Sequence, residues 1–408
     1  MTGEPGRQAR KLARPVGVEA GAWGIMKAVN DAFINPLLLT SGAGSLAIGI
    51  FNSGANLFGF GAGWLGPRVA GRFGSSARAA LLCLGAGRAA LLVMVAYLLA
   101  TPNHSVSLLI TLVFIWGIGE GLALPLWTNF LASLVGPGQR GKWLALRATA
   151  ATMSTIPVMI GMVLIFVFAS NAQAIPLGYG LAATCAVVSL FMVKRLFALA
   201  GPQPVPAARS IHALPGDPEA RRFLGGVFVF WFGSAFSWPI LPRYILDNLH
   251  APAAYFAIAS LIAAVVGTLI QRRWGRLADE RGAMLVLLLA GIGAAFVPII
   301  WVVIPVFWLG FSLEILASIS WPGHMLGLTM RSVELAREEQ GRASLLGWTN
   351  LAQGAGACIS PLLSSLLADR TGIAFVLLLS GALRLAGTGI MTAPIIHRRL
   401  TARRGIAG

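Results

Sequence analysis

The chain alternates between long apolar runs and short polar gaps, and twelve such runs can be counted along it. A helix of about 20 residues crosses a hydrocarbon core of roughly 30 Å, so each run is long enough to be a membrane span. The pattern predicts spans at 17–39, 45–66, 79–100, 106–131, 143–169, 174–193, 223–243, 252–270, 283–303, 306–330, 343–366 and 372–393. Between Lys194 and Arg222 the pattern breaks. That segment is basic, polar and rich in proline, and no apolar run fits in it, so it reads as a linker between two halves. The predicted organisation is a basic tail (1–16), a six-helix bundle (17–197), a linker (198–222), a second six-helix bundle (223–396) and a basic tail (397–408). The expected fold class is an all-α membrane protein of 12 transmembrane helices in two pseudo-symmetric bundles.

Charge then sets the orientation. Of the 31 Lys and Arg, 25 lie in the two tails and the even-numbered gaps, while the odd-numbered gaps hold only Arg243 and Arg370. Cytoplasmic loops retain Lys and Arg because these residues are costly to translocate, which predicts that both termini and the linker are cytoplasmic in a plasma (inner) membrane. The net charge of +17 is then a topological bias facing anionic headgroups, so the expected partner is the lipid bilayer and no nucleic acid. A composition 57% hydrophobic and only 11% charged, with a mean hydropathy of +0.78, excludes an ordinary soluble domain. The basic start resembles a signal peptide, but the run behind it carries Glu19, Lys27 and Asp31, so it is read as a retained helix. Cys83, Cys185 and Cys358 lie singly in apolar runs, and the five histidines show no ligand spacing. No metal, no cofactor and no enzymatic activity is expected.

The halves echo each other. Glu120 to Trp127 and Glu314 to Trp321 both read E-x-L-A-x-x-x-W, in spans 4 and 10. Gln139-Arg140-Gly141-Lys142 leads into span 5 as Glu339-Gln340-Gly341-Arg342 leads into span 11. Arg68 to Arg72 follows span 2 as Arg276 to Arg281 follows span 8. Three echoes in one order indicate duplication, the parallel-repeat arrangement that builds a substrate site where the repeats meet.

Residues 275–282, GRLADERG, resemble the G-x-L-a-D-r-x-G loop of the major facilitator superfamily, and they stand where the second half of that family carries it. The first-half copy around Gly66 to Gly74 departs from the pattern, with Ala70 in place of the acidic residue. The resemblance implies a transporter working by alternating access. It also implies a cytoplasmic gate built from Gly275, Asp279, Arg281 and Gly282, with Arg140, Arg147 and Arg342 as its cationic partners. Asp279 would accept from backbone N–H groups at a helix N-terminus and be neutralised by an arginine. The competing reading is a topogenic basic loop with an incidental carboxylate. Arg147 either closes the gate or snorkels to the headgroups.

Ionisable groups at bilayer depth are costly unless paired or hydrated. Lys27, Asp31, Arg88, Glu120, Glu314 and Arg384 fall near mid-span; with three cations and three carboxylates, complete pairing is open to them. Arg88 and Arg384 are read as holding helices together. Lys27, Asp31 and Asn35 recur at four-residue spacing and so share a helix face. Glu120 with Trp127, and Glu314 with Trp321, pair an acid with an indole at heptad spacing. Such a pair suits a cationic or amphipathic ligand, and a partly desolvated carboxylate can instead carry a proton. The family places spans 1, 4 and 10 around the central cavity, and Asn350 and Gln353 of span 11 join the candidates. Structural ion pairs remain the alternative for all of these charges.

The expected function is secondary active transport of a small molecule, with protons as the candidate coupling ion and a monomer as the working unit. Efflux of drug-like or amphipathic compounds is favoured slightly over metabolite uptake. The alternative is a non-transporting membrane assembly factor or sensor on the same scaffold.

Overall fold

The computed structural model describes residues 4–73, 75–101, 103–133, 140–200, 216–306, 308–336 and 339–405. They form helices in every expected place. The first half comprises α1 (Glu4–Thr40), α2 (Ser45–Asn56), a π-turn (Leu57–Gly61) leading into α3 (Ala62–Phe73), α4 (Ser76–Ala100), α5 (Val106–Ser133), α6 (Arg140–Phe168) and α7 (Asn171–Ala200). The second comprises α8 (Pro218–Ser237), α9 (Ile240–Arg243) running into a π-turn (Tyr244–Asn248), α10 (Ala254–Arg281), α11 (Ala283–Val303), α12 (Leu309–Leu335), α13 (Glu339–Thr371) and α14 (Ile373–Gly405). With α2–α3 and α8–α9 each counted as one run, these are the twelve spans of an all-α membrane protein.

Among the described residues, nine helical runs are long and apolar enough to cross a membrane on composition alone. The other three are α1, α2–α3 and α12, the runs that hold Lys27 and Asp31, Asn52 and Asn56, and Glu314 and His324. Polar side chains lower their hydropathy, so the segments with the weakest membrane signal carry the most candidate chemistry.

Helices outrun the predicted spans at several ends. α1 begins at Glu4 and α14 ends at Gly405, because lipid limits the apolar stretch while backbone hydrogen bonding continues through good helix formers such as Ala, Arg and Leu. α8 starts at Pro218 behind Asp217, whose side chain accepts from the Glu219 N–H over 3.0 Å. Proline at the first helical position loses no bond, since that N–H has no helical acceptor. Most of the predicted linker (201–215) lies outside the described residues. Gly282, at φ +85°, ends α10 and admits α11, a conformation that a Cβ would strain.

Two compact units emerge, one of residues 1–44, 54–209 and 252–264, the other of residues 45–53, 210–251 and 265–408. In the first, α1 packs on α6 and α7, and α4 packs on α5 and α7. α1 meets α6 at Gly24, where an added Cβ would stand 2.4 Å from the Ala151 carbonyl. Small residues at such crossings let backbones approach and gain dispersion contacts, which drive helix association in lipid. In the second unit α8 packs on α13 and α14, and α11 on α12 and α14. Gly387 plays the part of Gly24 there, against the Phe230 backbone.

Candidate functional site

The richest polar feature of the first unit runs along α1. Glu19, Trp23, Lys27, Asp31 and Asn35 follow one another at four-residue intervals, which puts each one turn above the last on a slowly drifting stripe. Sixteen residues of helix rise about 24 Å, most of a hydrocarbon core. Lys27 donates to Asp31 over 2.6 Å, and both side chains are about half exposed, at 51% and 55%. An ion pair midway along a span faces water or a polar cavity rather than lipid. Asn30, beside the stripe, accepts from the Tyr179 hydroxyl at 3.5 Å.

The stripe's Glu19 end is tied into two ion pairs. Glu19, only 2% exposed, accepts from Arg147 Nε of α6 at 3.3 Å. The Arg147 guanidinium lies 4.7 Å from the centre of the Trp23 ring. On its other edge Trp23 donates from Nε1 to Glu120 Oε2 at 3.3 Å. Glu120 is ion-paired with Arg88 of α4 and accepts from Trp116 Nε1 at 3.3 Å. Arg88 in turn donates to Ser189 Oγ of α7 at 3.3 Å. Two arginines and two glutamates thus neutralise one another across α1, α4, α5, α6 and α7, with Trp23 touching both pairs.

Sequence spacing named Trp127 as the indole beside Glu120, and here the structure differs. Trp127 is buried in an apolar cluster, stacked on Phe130 at 5.3 Å and edge-on to Phe197 at 5.9 Å. Trp116, one turn before Glu120, and Trp23 from α1 supply its N–H donors instead. The cation beside Glu120 is Arg88, and Lys27 is engaged by Asp31. Glu19 and Trp23 were not among the sequence candidates. The four-residue interval running on from Lys27 and Asp31 was the signal for both.

In the second unit Trp321 meets Trp231 edge-on at 5.2 Å, and Trp231 meets Trp238 at 6.1 Å. His324 is fully buried, stacked on Phe230 at 3.8 Å, and neither ring nitrogen has a hydrogen-bond partner among the described residues. Glu314 is partly buried on α12 two turns before Trp321. Gln353, buried, donates to Asn350 at 3.5 Å on α13. Arg384 has no carboxylate among the described residues; it donates to the carbonyls of Ala294 and Ser234 and to Ser237 Oγ.

Among the predicted gate residues, Gly275 lies near the end of α10, Asp279 and Arg281 are exposed in its last turns, and Gly282 makes the turn. Arg147 is engaged by Glu19 and Trp23 within the first unit, and the side chains of Arg140 and Arg342 lie outside the described residues. An ion pair at this end of the second unit joins Arg331 to Glu219 and, at 3.0 Å, to Glu334. At its opposite end Arg243 bonds Ser45 and reaches Asp369 and Asp247, each at 3.4 Å. There Arg243, Asn248, Asp369 and Gly372 border a cavity of about 480 Å³.

Comparison with known proteins extends this geometry. A model of the Major Facilitator Superfamily matches residues 19–361. A protein of Lactococcus lactis subsp. lactis (strain IL1403), described as a multi-drug resistance efflux pump PmrA homolog, is 32% identical over 193 residues. That match covers 44% of this chain and 45% of the relative, so the chain spans about half the length of the curated relative it matches. Among solved structures, a bacterial homologue of the iron transporter ferroportin superposes with a TM-score of 0.71 at 13% identity, covering 93% of this chain and 98% of the other. The nucleoside transporter NupG gives 0.66 at 14% identity, covering 94% and 98%. At these identities the likeness is one of fold.

Proposed function

Since the chain belongs to the major facilitator superfamily, a family of membrane transporters, we propose that it exports an amphipathic or cationic small molecule by proton-coupled alternating access. The observation that carries this reading is the α1 stripe, which lines most of a membrane's thickness with paired charge and an indole. A helix that served only as a scaffold would be cheaper apolar, because each intramembrane charge costs several kcal/mol unless paired or hydrated. The half-exposed Lys27–Asp31 pair supports a solvated path past α1, and the efflux-pump description of the Lactococcus lactis relative supports the outward direction.

Within this reading the two repeat-related carboxylates have different tasks. Glu120, held by Arg88 and two indole N–H groups, stays ionised and braces the first unit. Glu314 is the carboxylate that takes up and releases the coupling proton, and Asp31 with Lys27 lines the path. Everted membrane vesicles energised by respiration test the transport reading. Accumulation of a lipophilic cation such as tetraphenylphosphonium above that of vesicles lacking the protein is expected, with its collapse by a protonophore. Uptake no greater than in control vesicles, across a panel of cationic and neutral amphiphiles, would contradict it.

A further inference from the structure

We propose that the niche formed by Glu19 and Trp23 on α1 is a binding site for an organic cation, and that Arg147 is the tethered cation that plugs it. The inference rests on the transporter reading and adds to it a substrate class, a location and a competitor built into the chain.

A carboxylate behind an aromatic face is the arrangement that recognises a desolvated cation, since charge attraction and the ring quadrupole act on the same guest. Here that guest is already present. The guanidinium of Arg147 lies 4.7 Å from the Trp23 ring centre, and its Nε is 3.3 Å from Glu19 Oε2. Nothing about the contact resembles a permanent clamp. Arginine braces a carboxylate most strongly through two parallel N–H bonds of about 2.7–2.9 Å; Arg147 offers Glu19 a single, longer one, through Nε. The niche is also partly open, with the Arg147 side chain 16% exposed while Glu19 is 2% exposed behind it.

Exchange is what such a contact permits. Arg88 and Ser189 also act on Glu19, yet withdrawing the Arg147 guanidinium from a buried carboxylate is still unfavourable, so the niche stays occupied, but its occupant need not be Arg147. An incoming cation that takes the Trp23 face and the Glu19 charge releases the guanidinium, and a long side chain about two turns inside the start of α6 can reach toward the headgroup layer. The charge of the niche is the same before and after. Trp23 has a second consequence for this exchange: its N–H is held by Glu120, so the indole stays oriented while the cation on its face changes.

Equilibrium dialysis of radiolabelled tetraphenylphosphonium against the full-length purified protein tests the idea, with uncharged triphenylphosphine oxide as control. Arg147→Gln should tighten tetraphenylphosphonium binding by about tenfold, equivalent to roughly 1.4 kcal/mol, and leave the neutral analogue unaffected. Adding Trp23→Leu or Glu19→Gln to that variant should abolish the gain. Should Arg147→Gln fail to fold, Arg147→Lys, which keeps the charge but stacks less well on an indole, should give a smaller increase of the same sign. Equal affinity in wild type and the Arg147 variants, or a gain that survives Trp23→Leu, would overturn the proposal. Flux of tetraphenylphosphonium into proteoliposomes separates the two levels of the argument. Transport with binding indifferent to Arg147 sinks the plug alone, whereas the expected binding pattern without flux in any variant sinks the transporter reading and leaves the site.

Discussion

Arg384 Nη1 donates to the Ala294 carbonyl over 2.8 Å, and this is the carbonyl that Pro298, four residues on, leaves without its helical donor. The second carbonyl it serves, Ser234 O at 3.2 Å, lacks its helical donor for a related reason and also accepts from the Ser237 hydroxyl at 3.0 Å. The Trp238 N–H bonds Ala235 O instead of Ser234 O where α8 breaks before Pro239. A carbonyl without its helical donor carries partial negative charge, so one missing rung inside α11 and the end of α8 stand in for a carboxylate as Arg384's partner. Losing Arg384 should cost about 1–3 kcal/mol for the buried Ala294 carbonyl it leaves unsatisfied, since Ser234 O keeps the Ser237 hydroxyl. The expected outcome is a large fall in thermal stability for Arg384→Met in detergent, partly relieved when Pro298→Ala returns a donor to Ala294. Additive effects of the two substitutions would show that the pairing carries no energy of its own.

Arg88 and Glu120 make a sharper stability test, because each is the other's counter-ion. Removing one partner of a buried pair typically costs about 3–5 kcal/mol, while replacing both with apolar groups is often neutral. Glu120→Met and Arg88→Met should each lower the yield of folded, monodisperse protein severely, and the double variant should recover most of it. A double variant as poor as the worse single one would contradict the pairing as the reason for their burial.

Much of the fold was legible because lipid imposes a single length on every apolar run. The twelve helical runs stand where hydropathy put them, and the Lys27–Asp31 contact followed from spacing on one helix. What spacing could not provide was the partner on another helix. Glu120 and Trp127 are seven residues apart and nominally on one face, yet Trp127 turns into Phe130 and Phe197, and the indole that reaches Glu120 across helices belongs to α1. Charge counting likewise showed that Arg88 and Arg384 needed compensation. It did not show that one finds a glutamate and the other two backbone carbonyls. Glu19 was read only as evidence against a signal peptide, since its partner Arg147 lies 128 residues away.

Asp279 is exposed near the end of α10, so its loss should leave packing intact. As the proposed cytoplasmic gate residue, Asp279→Asn should slow turnover several-fold while the amount and melting temperature of folded protein stay the same. Turnover equal to wild type at matched expression would reduce Asp279 to an incidental carboxylate.

Orientation is open to direct chemistry. In a background with Cys83, Cys185 and Cys358 replaced by alanine, a cysteine at Ser105 should react with an impermeant maleimide in intact cells. A cysteine at Ser210 should react only after permeabilisation, as the distribution of Lys and Arg requires. The opposite pattern would invert the assignment of both ends.

Proton-coupled transport stands or falls most directly on Glu314→Gln in proteoliposomes, assayed in two modes with the same cationic substrate. Wild type should drive the substrate against its gradient when a pH difference is imposed, and should also exchange it at equal concentrations. The variant should keep exchange, which needs only binding and alternating access, and should lose transport driven by the pH difference. Proton-driven accumulation that survives in Glu314→Gln, or wild-type protein that supports neither mode, would contradict the account.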